Sequence, residues 1–251
     1  MTNDSSPTAA LLLIGNELLS GRTQDKNLAF IGERLAARGI VLAEARVIAD
    51  VPEVIISTVN TLRDQFTFVF TTGGIGPTHD DITADCVAKA FGVELPTHPE
   101  AEQRLLAYFE ERSIEANTDR MRMARIPVGG KLIDNPVSVA PGFSIENVFV
   151  MAGVPRIMQA MFENIEPSLP LGQRFDSVTV LCNLGEGTFA GALRELQEKY
   201  AQLDLGSYPI SAEKGLRVAL VAKGQDKNAL ADAGADMQSM VAQLGGQIFE
   251  N

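Results

Sequence analysis

Residues 72–83 carry most of the chemistry in this sequence and read Thr-Gly-Gly-Ile-Gly-Pro-Thr-His-Asp-Asp-Ile-Thr. Glycines let a backbone approach a ligand closely, and a helix that begins after them offers free N–H groups and a partial positive charge. The segment therefore predicts a site for phosphate-like anions, with Gly73, Gly74 and Gly76 as its cradle. It is not a P-loop, because no lysine follows the glycines. It also fails the dinucleotide fingerprint, because His79 stands in place of the last glycine.

Two aspartates, Asp80 and Asp81, follow these glycines directly. Two carboxylates would repel a bound anion unless a divalent cation lay between them. The pair therefore predicts a Mg²⁺, Mn²⁺ or Co²⁺ site, beside which His79 could orient a phosphate or relay a proton near neutral pH. The competing interpretation is structural: a glycine-rich turn in which Asp80 caps the next helix and His79 is solvated.

Further polar residues follow the first two apolar runs of the chain. Ligands of open α/β sheets bind at the carboxyl ends of the strands, so we expect these residues to converge with the glycine segment. Asp50 and Arg22 are the predicted catalytic partners of Asp81, with Arg22 neutralising charge in the transition state. Glu17 and Arg22 could instead form a surface pair, and Asp50 could cap a helix. The remaining candidates for binding a ligand are Gly15, Glu17, Ser20, Asn27, Thr72, Pro77 and Thr78.

The elements that would position these residues alternate between apolar runs and helical periods, which is typical of a parallel α/β fold. Strands are predicted at 10–14, 40–48, 67–71 and 147–151, and helices at 23–38, 52–66, 99–124 and around 158–162. The proline-rich stretch 167–172 cannot continue a helix and is the predicted linker. Beyond it we expect a strand at 177–182, a helix at 188–203, strands at 205–209 and 216–222, and a last helix. The predicted domains are an α/β domain at 8–170 and a small α+β domain at 175–251.

Composition narrows the range of partners. Lys and Arg total 21 against 32 Asp and Glu, a formal charge of -11, which argues against binding to nucleic acid or anionic membranes. The two cysteines fit neither a disulfide framework nor a metal-binding spacing, and the N-terminal apolar run is too short to cross a membrane. We therefore expect a cytoplasmic protein whose partner is a phosphate-containing small molecule. Self-association into a homo-oligomer is common for such domains.

Several stretches resemble the N-terminal region of the competence/damage-inducible protein A family. They are Ile-Gly-Asn-Glu-Leu-Leu-Ser-Gly-Arg at 14–22, the glycine segment 72–83, Asn-Pro at 135–136, Ala-Pro-Gly-Phe at 140–143 and Gly-Val-Pro at 153–155. That region is a molybdopterin-binding-type domain, similar to molybdenum-cofactor biosynthesis proteins and to the N-terminal part of some FAD synthases. Gly-Glu-Gly-Thr at 185–188 and Gly-Ser-Tyr-Pro at 206–209 resemble the family's small α+β module, so the resemblance spans about residues 10–224.

The resemblance implies a three-layer α/β/α domain with a mostly parallel sheet, and a site at the glycine segment whose acidic positions fall on Asp81 and Asp50. Family members with measured activity hydrolyse the pyrophosphate of ADP-ribose-like or flavin nucleotides with a divalent metal. We therefore predict a metal-dependent hydrolase of nucleotide-linked pyrophosphates. The alternative is a non-catalytic protein that binds molybdopterin and is linked to molybdenum-cofactor biosynthesis.

Two departures from the family pattern bear on these hypotheses. The family's Pro-Gly-Val-Pro-x-Glu stretch reads Ala-Gly-Val-Pro-Arg-Ile at 152–157, and the loss of a carboxylate at Ile157 favours the non-catalytic alternative. The C-terminal amide-hydrolysing domain of longer members is absent from this sequence, so deamidation of nicotinamide mononucleotide is not expected.

Overall fold

The computed structural model describes residues 6–212 and 215–249, which form two units that divide between Gly172 and Gln173. Each unit has a sheet of its own, six-stranded in the first and four-stranded in the second. The apolar residues that pack against each sheet form separate clusters, so each unit has its own core.

The sheet of the first unit has the strand order β2-β1-β3-β6-β5-β4. The first four strands in that order are parallel, and β5 and β4 extend the sheet as antiparallel strands. Residues Ala9 to Ile14 of the central strand β1 are all buried, as the continuous apolar run predicts. The strands are β1 (Thr8–Ile14), β2 (Val41–Ile48), β3 (Phe68–Thr72), β4 (Lys131–Ile133), β5 (Gly142–Ile145) and β6 (Val148–Met151).

Helices cover both faces of this sheet. On one face, α3 and α4 pack against the even-numbered residues of β1 through Ile55, Leu62 and Val87. On the other face, α2 and α7 pack against the odd-numbered residues of β1 through Ile31 and Phe162. The expected three-layer α/β/α fold with a mostly parallel sheet is therefore confirmed. The helices are α1 (Asn16–Leu19), α2 (Asn27–Ala37), α3 (Pro52–Gln65), α4 (Thr83–Phe91), α5 (Pro99–Glu111), α6 (Thr118–Met121) and α7 (Pro155–Ile165).

Two predicted helices have different limits in the structure. The helix predicted at 23–38 begins only at Asn27, where the Asp25 carboxylate accepts the N–H groups of Asn27 at 3.2 Å and Leu28 at 2.9 Å. The helix predicted at 99–124 is interrupted after Glu111, since Ser113 takes a positive φ of 53°. A new helix, α6, begins after Asn117, whose side-chain oxygen accepts the N–H of Arg120 at 3.0 Å.

The second unit is an antiparallel sheet with two helices, in agreement with the expected α+β class. Its strand order is β10-β7-β9-β8. The helix predicted at 188–203 begins and ends earlier, because the chain turns at Tyr200 to enter β8. The elements are β7 (Asp176–Cys182), α8 (Glu186–Lys199), β8 (Asp204–Ala212), β9 (Gly215–Gly224), α9 (Lys227–Gln243) and β10 (Ile248–Phe249). None of the helices in the described residues combines the length and apolar character that a membrane crossing needs.

Candidate functional site

A cavity of about 560 Å³ lies at the carboxyl ends of the parallel strands of the first unit. Residues just beyond four strands line it: Gly15 after β1, Asp50 after β2, Gly73 after β3 and Ala152 after β6. This is the sheet edge at which ligands of open α/β sheets bind. The position of the cavity thus agrees with the edge predicted from the sequence.

The glycine segment forms one wall of this cavity, and two of its glycines have the left-handed backbone that glycine favours. Gly73 and Gly74 have φ values of 105° and 66°. A Cβ atom on Gly73 would collide with the Ile14 carbonyl oxygen, and one on Gly74 would collide with the Thr83 hydroxyl. The N–H groups of Gly74, Ile75 and Gly76 have no acceptor within residues 6–212 and 215–249. Successive free N–H groups of this kind form an anion-binding concavity.

The first turn of α4 is less available to an anion than the sequence predicts. The Thr83 N–H donates to the Gly74 carbonyl at 2.9 Å, and the Thr83 hydroxyl donates to the Gly73 carbonyl at 3.0 Å. Ile82 occupies the N-cap position without a side-chain bond, so the interpretation of Asp80 as the helix cap is wrong. The Thr83 N–H is therefore already bonded, whereas Gly74 and Gly76 line the cavity and have N–H groups without an acceptor in the described part of the chain.

Thr78 holds both aspartates of the glycine segment. Its N–H donates to Asp81 Oδ2 at 2.8 Å, and its hydroxyl lies 2.6 Å from that atom and 2.6 Å from Asp80 Oδ1. The hydroxyl has one proton and donates to one carboxylate at a time. This hydrogen bond is the main cause of the lowered pKa of the exposed Asp80 carboxyl. The second oxygen of Asp81, Oδ1, accepts no hydrogen bond within the described residues.

The other acidic residues of the cavity come from the ends of β1 and β2. Asp50 is not a helix cap: Val51 has that position, and Asp50 Oδ2 instead accepts the Asn16 N–H at 2.8 Å. The carboxylate of Glu17 folds back over Gly15, where a Cβ would lie 2.6 Å from Glu17 Oε2. The cavity is therefore acidic: its charged lining residues within the described chain are Glu17, Asp50, Asp80 and Asp81, without a Lys, Arg or His.

Some predicted site residues do not reach the cavity. Arg22, Ser20 and His79 are exposed on turns and do not line it, so the expected charge neutralisation by Arg22 has no support from the geometry. Thr78 does not line the cavity either, but it forms hydrogen bonds with Asp80 and Asp81, which do. The predicted residues that do line the cavity are Gly15, Glu17, Asp50, Gly73, Gly74, Gly76, Pro77, Asp80 and Asp81.

Asn27 and Thr72 lie below the cavity rather than in its wall. Asn27 is 3% exposed, and its Nδ2 donates to the Gly153 carbonyl at 2.9 Å and to Thr72 Oγ1 at 3.4 Å. Its Oδ1 is buried without a donor among the described residues. Both side chains line a chamber of about 40 Å³ that shares Glu17 with the cavity wall. A chamber of this size accommodates one water molecule.

The sequence did not single out two other contributors to the site. Asn135 and Ser138 form a wall of the cavity, and Asn135 Nδ2 donates to Ser138 Oγ at 2.7 Å. Arg122 holds the glycine segment from the side, donating to the carbonyls of Thr78 at 3.2 Å and Asp81 at 3.3 Å. The Asn-Pro dipeptide at 135–136 was a turn signal and part of the family resemblance, but neither assigned Asn135 to the site. No local signal links Arg122 to a turn that lies about forty residues away.

The donor set fits a hard divalent cation. Carboxylate oxygens are the ligands that Mg²⁺ and Mn²⁺ prefer, and Mg²⁺ is usually held by one or two carboxylates, with water and substrate phosphates completing its shell. Asp50 Oδ1 and Asp81 Oδ1 are free of hydrogen bonds in the described part of the chain. No group of three or more His, Cys, Asp or Glu residues with ligating geometry occurs there. A cation at this site therefore depends on phosphate and water for its remaining ligands.

Comparison with known proteins places the two units in known families. Residues 10–170 match the family described as "Probable molybdopterin binding domain", and residues 174–245 match "FAD synthase, middle domain". A protein from Aeropyrum pernix is 32% identical, covering 98% of this chain and 98% of its own length. A "Putative competence-damage inducible protein" from Alkaliphilus metalliredigens is 31% identical over 88% of this chain and 55% of its own length. This chain thus spans about half of that relative.

Among solved structures, the protein CinA "with unknown function" from Thermoplasma acidophilum is similar to the first unit. It is 30% identical, has a TM-score of 0.60, and covers 65% of this chain and 98% of its own. The two family matches also divide the chain where its two units divide.

Proposed function

We propose that this chain, which belongs to the CinA family of molybdopterin-binding-type proteins, is a metal-dependent hydrolase of nucleotide-linked pyrophosphates such as ADP-ribose or FAD. The observation that carries the proposal is the composition of the cavity. Backbone N–H groups suited to phosphate lie in one wall, while Glu17, Asp50, Asp80 and Asp81 make the cavity strongly negative. A phosphate would be repelled by these carboxylates unless a divalent cation lay between them.

The residues have separate roles in this proposal. The N–H groups of Gly74, Ile75 and Gly76 bind the anionic oxygens of one phosphate. Asp50 and Asp81 hold the cation through their free Oδ1 atoms. Thr78 keeps Asp81 oriented through the 2.8 Å hydrogen bond that its N–H donates to Asp81 Oδ2.

The proposed reaction is hydrolysis of the P–O–P linkage between the two phosphates. The oxygen of water adds to one phosphorus, the bridging P–O bond breaks, and the bond pair leaves with the other phosphate, giving two monophosphates and a proton. A bound divalent cation would neutralise phosphate charge and lower the pKa of water. The loop amides are fixed before the substrate arrives, so they stabilise developing charge without reorganisation.

The size and the apolar part of the cavity suit a nucleotide. A volume of about 560 Å³ lies within the usual range of small-molecule sites. Ile14, Met123, Val154 and Ile157 give the lining an apolar part that could receive a base or a ring system.

The position of Ile157 favours a second candidate function. Ile157 lines the cavity where the family pattern has a carboxylate, so one acidic group is missing from the site itself. A cavity with fewer carboxylates is better suited to holding a pterin phosphate than to cleaving a pyrophosphate. Binding of molybdopterin without turnover is therefore the alternative proposal.

One assay separates the two proposals. Purified protein is incubated with ADP-ribose, FAD and other dinucleotides in Mg²⁺, Mn²⁺ or Co²⁺, and released monophosphates are measured by chromatography. We expect equimolar monophosphates that vanish in excess chelator. Release that persists in chelator would contradict the metal role. No release from any substrate, together with tight binding of a pterin phosphate by calorimetry, would favour the alternative.

A further inference from the structure

Strand β2 forms an open edge of the first sheet. It lies at one end of the strand order and, among the described residues, pairs with β1 only. None of its residues is fully buried, and Val41 and Val47 are 36% and 44% exposed. The outward N–H and C=O groups of an edge strand are available to pair with another strand. An eight-residue edge strand with exposed valines therefore needs an explanation.

The charges on β2 are arranged symmetrically. Glu44 and Arg46 are two residues apart, so they share one face of the strand, and they form an ion pair with side chains 33% and 36% exposed. Small and apolar residues surround the pair, with Ala45 between its members and Leu42 and Ile48 beyond them. The strand thus has an acidic and a basic residue on either side of a central alanine.

This arrangement is complementary to itself. When two copies of a strand pair antiparallel about a two-fold axis normal to the sheet, residues directly opposite each other lie on the same face. With the axis at Ala45, Glu44 of each copy lies opposite Arg46 of the other. Leu42 lies beyond the register shift at Ala43 and on the other face of the sheet, so it is not part of this pairing. With the axis at Glu44 or Arg46, like charges lie directly opposite, which is unfavourable. The charges therefore select the register centred on Ala45.

We propose that two copies of this chain associate through β2, which pairs antiparallel with β2 of the second copy about a two-fold axis at Ala45. The two sheets then join into one. Because the strands run in opposite directions across the axis, the two cavities lie at opposite edges of the joined sheet, so the association leaves both cavities open. The proposed hydrolase activity does not need this interface. The two proposals can therefore be tested independently of each other.

The shape of β2 also fits an alternative, in which the strand resists pairing with another strand. The pairing with β1 shifts in register at Ala43, since Ala9 pairs with Leu42 and Ala10 with Glu44. Bulges and charged side chains on edge strands are also devices that prevent edge pairing. If the protein stays monomeric, we infer that Ala43, Glu44 and Arg46 prevent edge pairing instead.

Charge reversal tests the proposal on the full chain by analytical ultracentrifugation. Glu44→Arg places Arg opposite Arg46, and Arg46→Glu places Glu opposite Glu44, twice in each dimer. We expect each variant alone to raise the dimer dissociation constant about tenfold or more, because two cross-strand pairs change sign. An equimolar mixture of the two variants should recover dimers, because every cross-strand pair is then again of opposite charge. The double variant Glu44→Arg/Arg46→Glu should dimerise like the wild type.

The matched controls use the exposed pair on α5, where Arg112 Nη1 lies 2.7 Å from Glu111 Oε2. Glu111→Arg and Arg112→Glu change the net charge equally and should leave the dissociation constant unchanged. A wild-type chain that remains monomeric at all concentrations would overturn the proposal, as would equal constants for all variants or a mixture that does not recover. If either single variant fails to fold by circular dichroism, the double variant decides, since it keeps both charges on the strand.

Discussion

Each of the two units of this chain has a concave surface. The two surfaces differ in whether their polar and charged groups already have partners. The first unit has a cavity of about 560 Å³ with free carboxylate oxygens and free loop amides. The second has a groove of about 270 Å³ between α8 and β8, lined by Phe189, Leu193 and Leu205 with polar residues around them. Two hydrogen bonds engage polar side chains of this groove: Ser207 donates to Glu186 at 2.7 Å, and Gln197 Oε1 accepts the Leu205 N–H at 2.9 Å.

The charged cluster of the second unit shows the same contrast. Asp236 Oδ2 accepts from Lys199 Nζ at 2.6 Å and from the Tyr200 hydroxyl at 2.7 Å, and these partners lower the pKa of its carboxyl. Such a cluster ties α8 to α9 and neutralises the Asp236 carboxylate with the Lys199 ammonium. In the first unit, Asp50 and Asp81 form no ion pair within the described residues. The difference teaches that carboxylates without a cationic partner, rather than the number of charges, distinguish a site from a structural contact.

Exchanging one aspartate in each unit should give the largest contrast. Asp81→Asn keeps the shape of the side chain and an oxygen that can accept the Thr78 N–H, but removes the charge that holds a cation. We expect turnover to fall about 100-fold or more, as for loss of other catalytic groups. Asp236→Asn in the second unit should leave turnover unchanged. Initial rates of monophosphate release measure both, and equal rates for wild type and Asp81→Asn would remove Asp81 from the mechanism.

Two glycines with the same backbone conformation, when each is replaced by alanine, should separate the effect of backbone strain from the effect on ligand binding. Gly74 and Gly92 have φ values of 66° and 65°, but only Gly74 lies in the cavity wall. Gly92→Ala should cost about 1–2 kcal/mol of unfolding free energy for the left-handed backbone. Gly74→Ala should cost more, because its Cβ would also collide with the Thr83 hydroxyl. Only Gly74→Ala should weaken nucleotide binding. Calorimetry compares the two, and equal affinities in both variants would place the phosphate elsewhere.

Removing a bridging amide side chain from each unit should have a moderate effect on stability. Asn27→Ala breaks the bond to the Gly153 carbonyl, and Gln197→Ala breaks the 2.8 Å bond from Nε2 to the Leu203 carbonyl. Each variant should lose about 1–1.5 kcal/mol of unfolding free energy in urea, since each removes a hydrogen bond to a main-chain carbonyl. Ligand affinity should fall for Asn27→Ala alone, because Gly153 lines the cavity. A loss of affinity in Gln197→Ala would show that the second unit contributes to the site.

The smallest expected effect concerns the buried thiol of the first unit. Burial is the main cause that raises the pKa of Cys86 from 9.0 to about 11. The thiol is neutral in the folded state, so its contribution to stability is complete below pH 9 and is lost as the pH rises towards 11. By about pH 9.5 the unfolding free energy of the wild type should fall by about 1 kcal/mol relative to Cys86→Ala. Urea denaturation at pH 7 and pH 9.5 tests this, and a constant difference would contradict the shifted pKa.

Local sequence signals predicted the parts of the site that depend on local backbone. Gly73 and Gly74 need positive φ values, and the acidic residues beside them follow in the same turn. Contacts across the chain could not be predicted in this way. Asp50 was expected to cap α3, but its oxygen accepts the N–H of Asn16, 34 residues away. Arg22 was expected in the cavity because it follows β1 closely, yet its turn leads the side chain into solvent.

The fold shows the same division between local and long-range information. Apolar periodicity predicted the parallel strands because burial on both faces imposes it along the sequence. The break in the helix at 112–117 had no such signal, since Ser113 adopts a positive φ without a glycine or proline to mark it. The positions of cavity-wall residues such as Asn135 and Ser138 depend on how distant loops pack. Apolar periodicity does not encode that packing.

The central claim is that the cavity accepts phosphate only together with a divalent cation. Calorimetric titration of the wild-type protein with a methylene-bridged ADP analogue, which cannot be hydrolysed at that bridge, tests it without requiring turnover. We predict affinity at least about tenfold higher in Mg²⁺ or Mn²⁺ than in excess chelator, because the four carboxylates repel the free anion. Equal affinity with and without the cation would contradict the account.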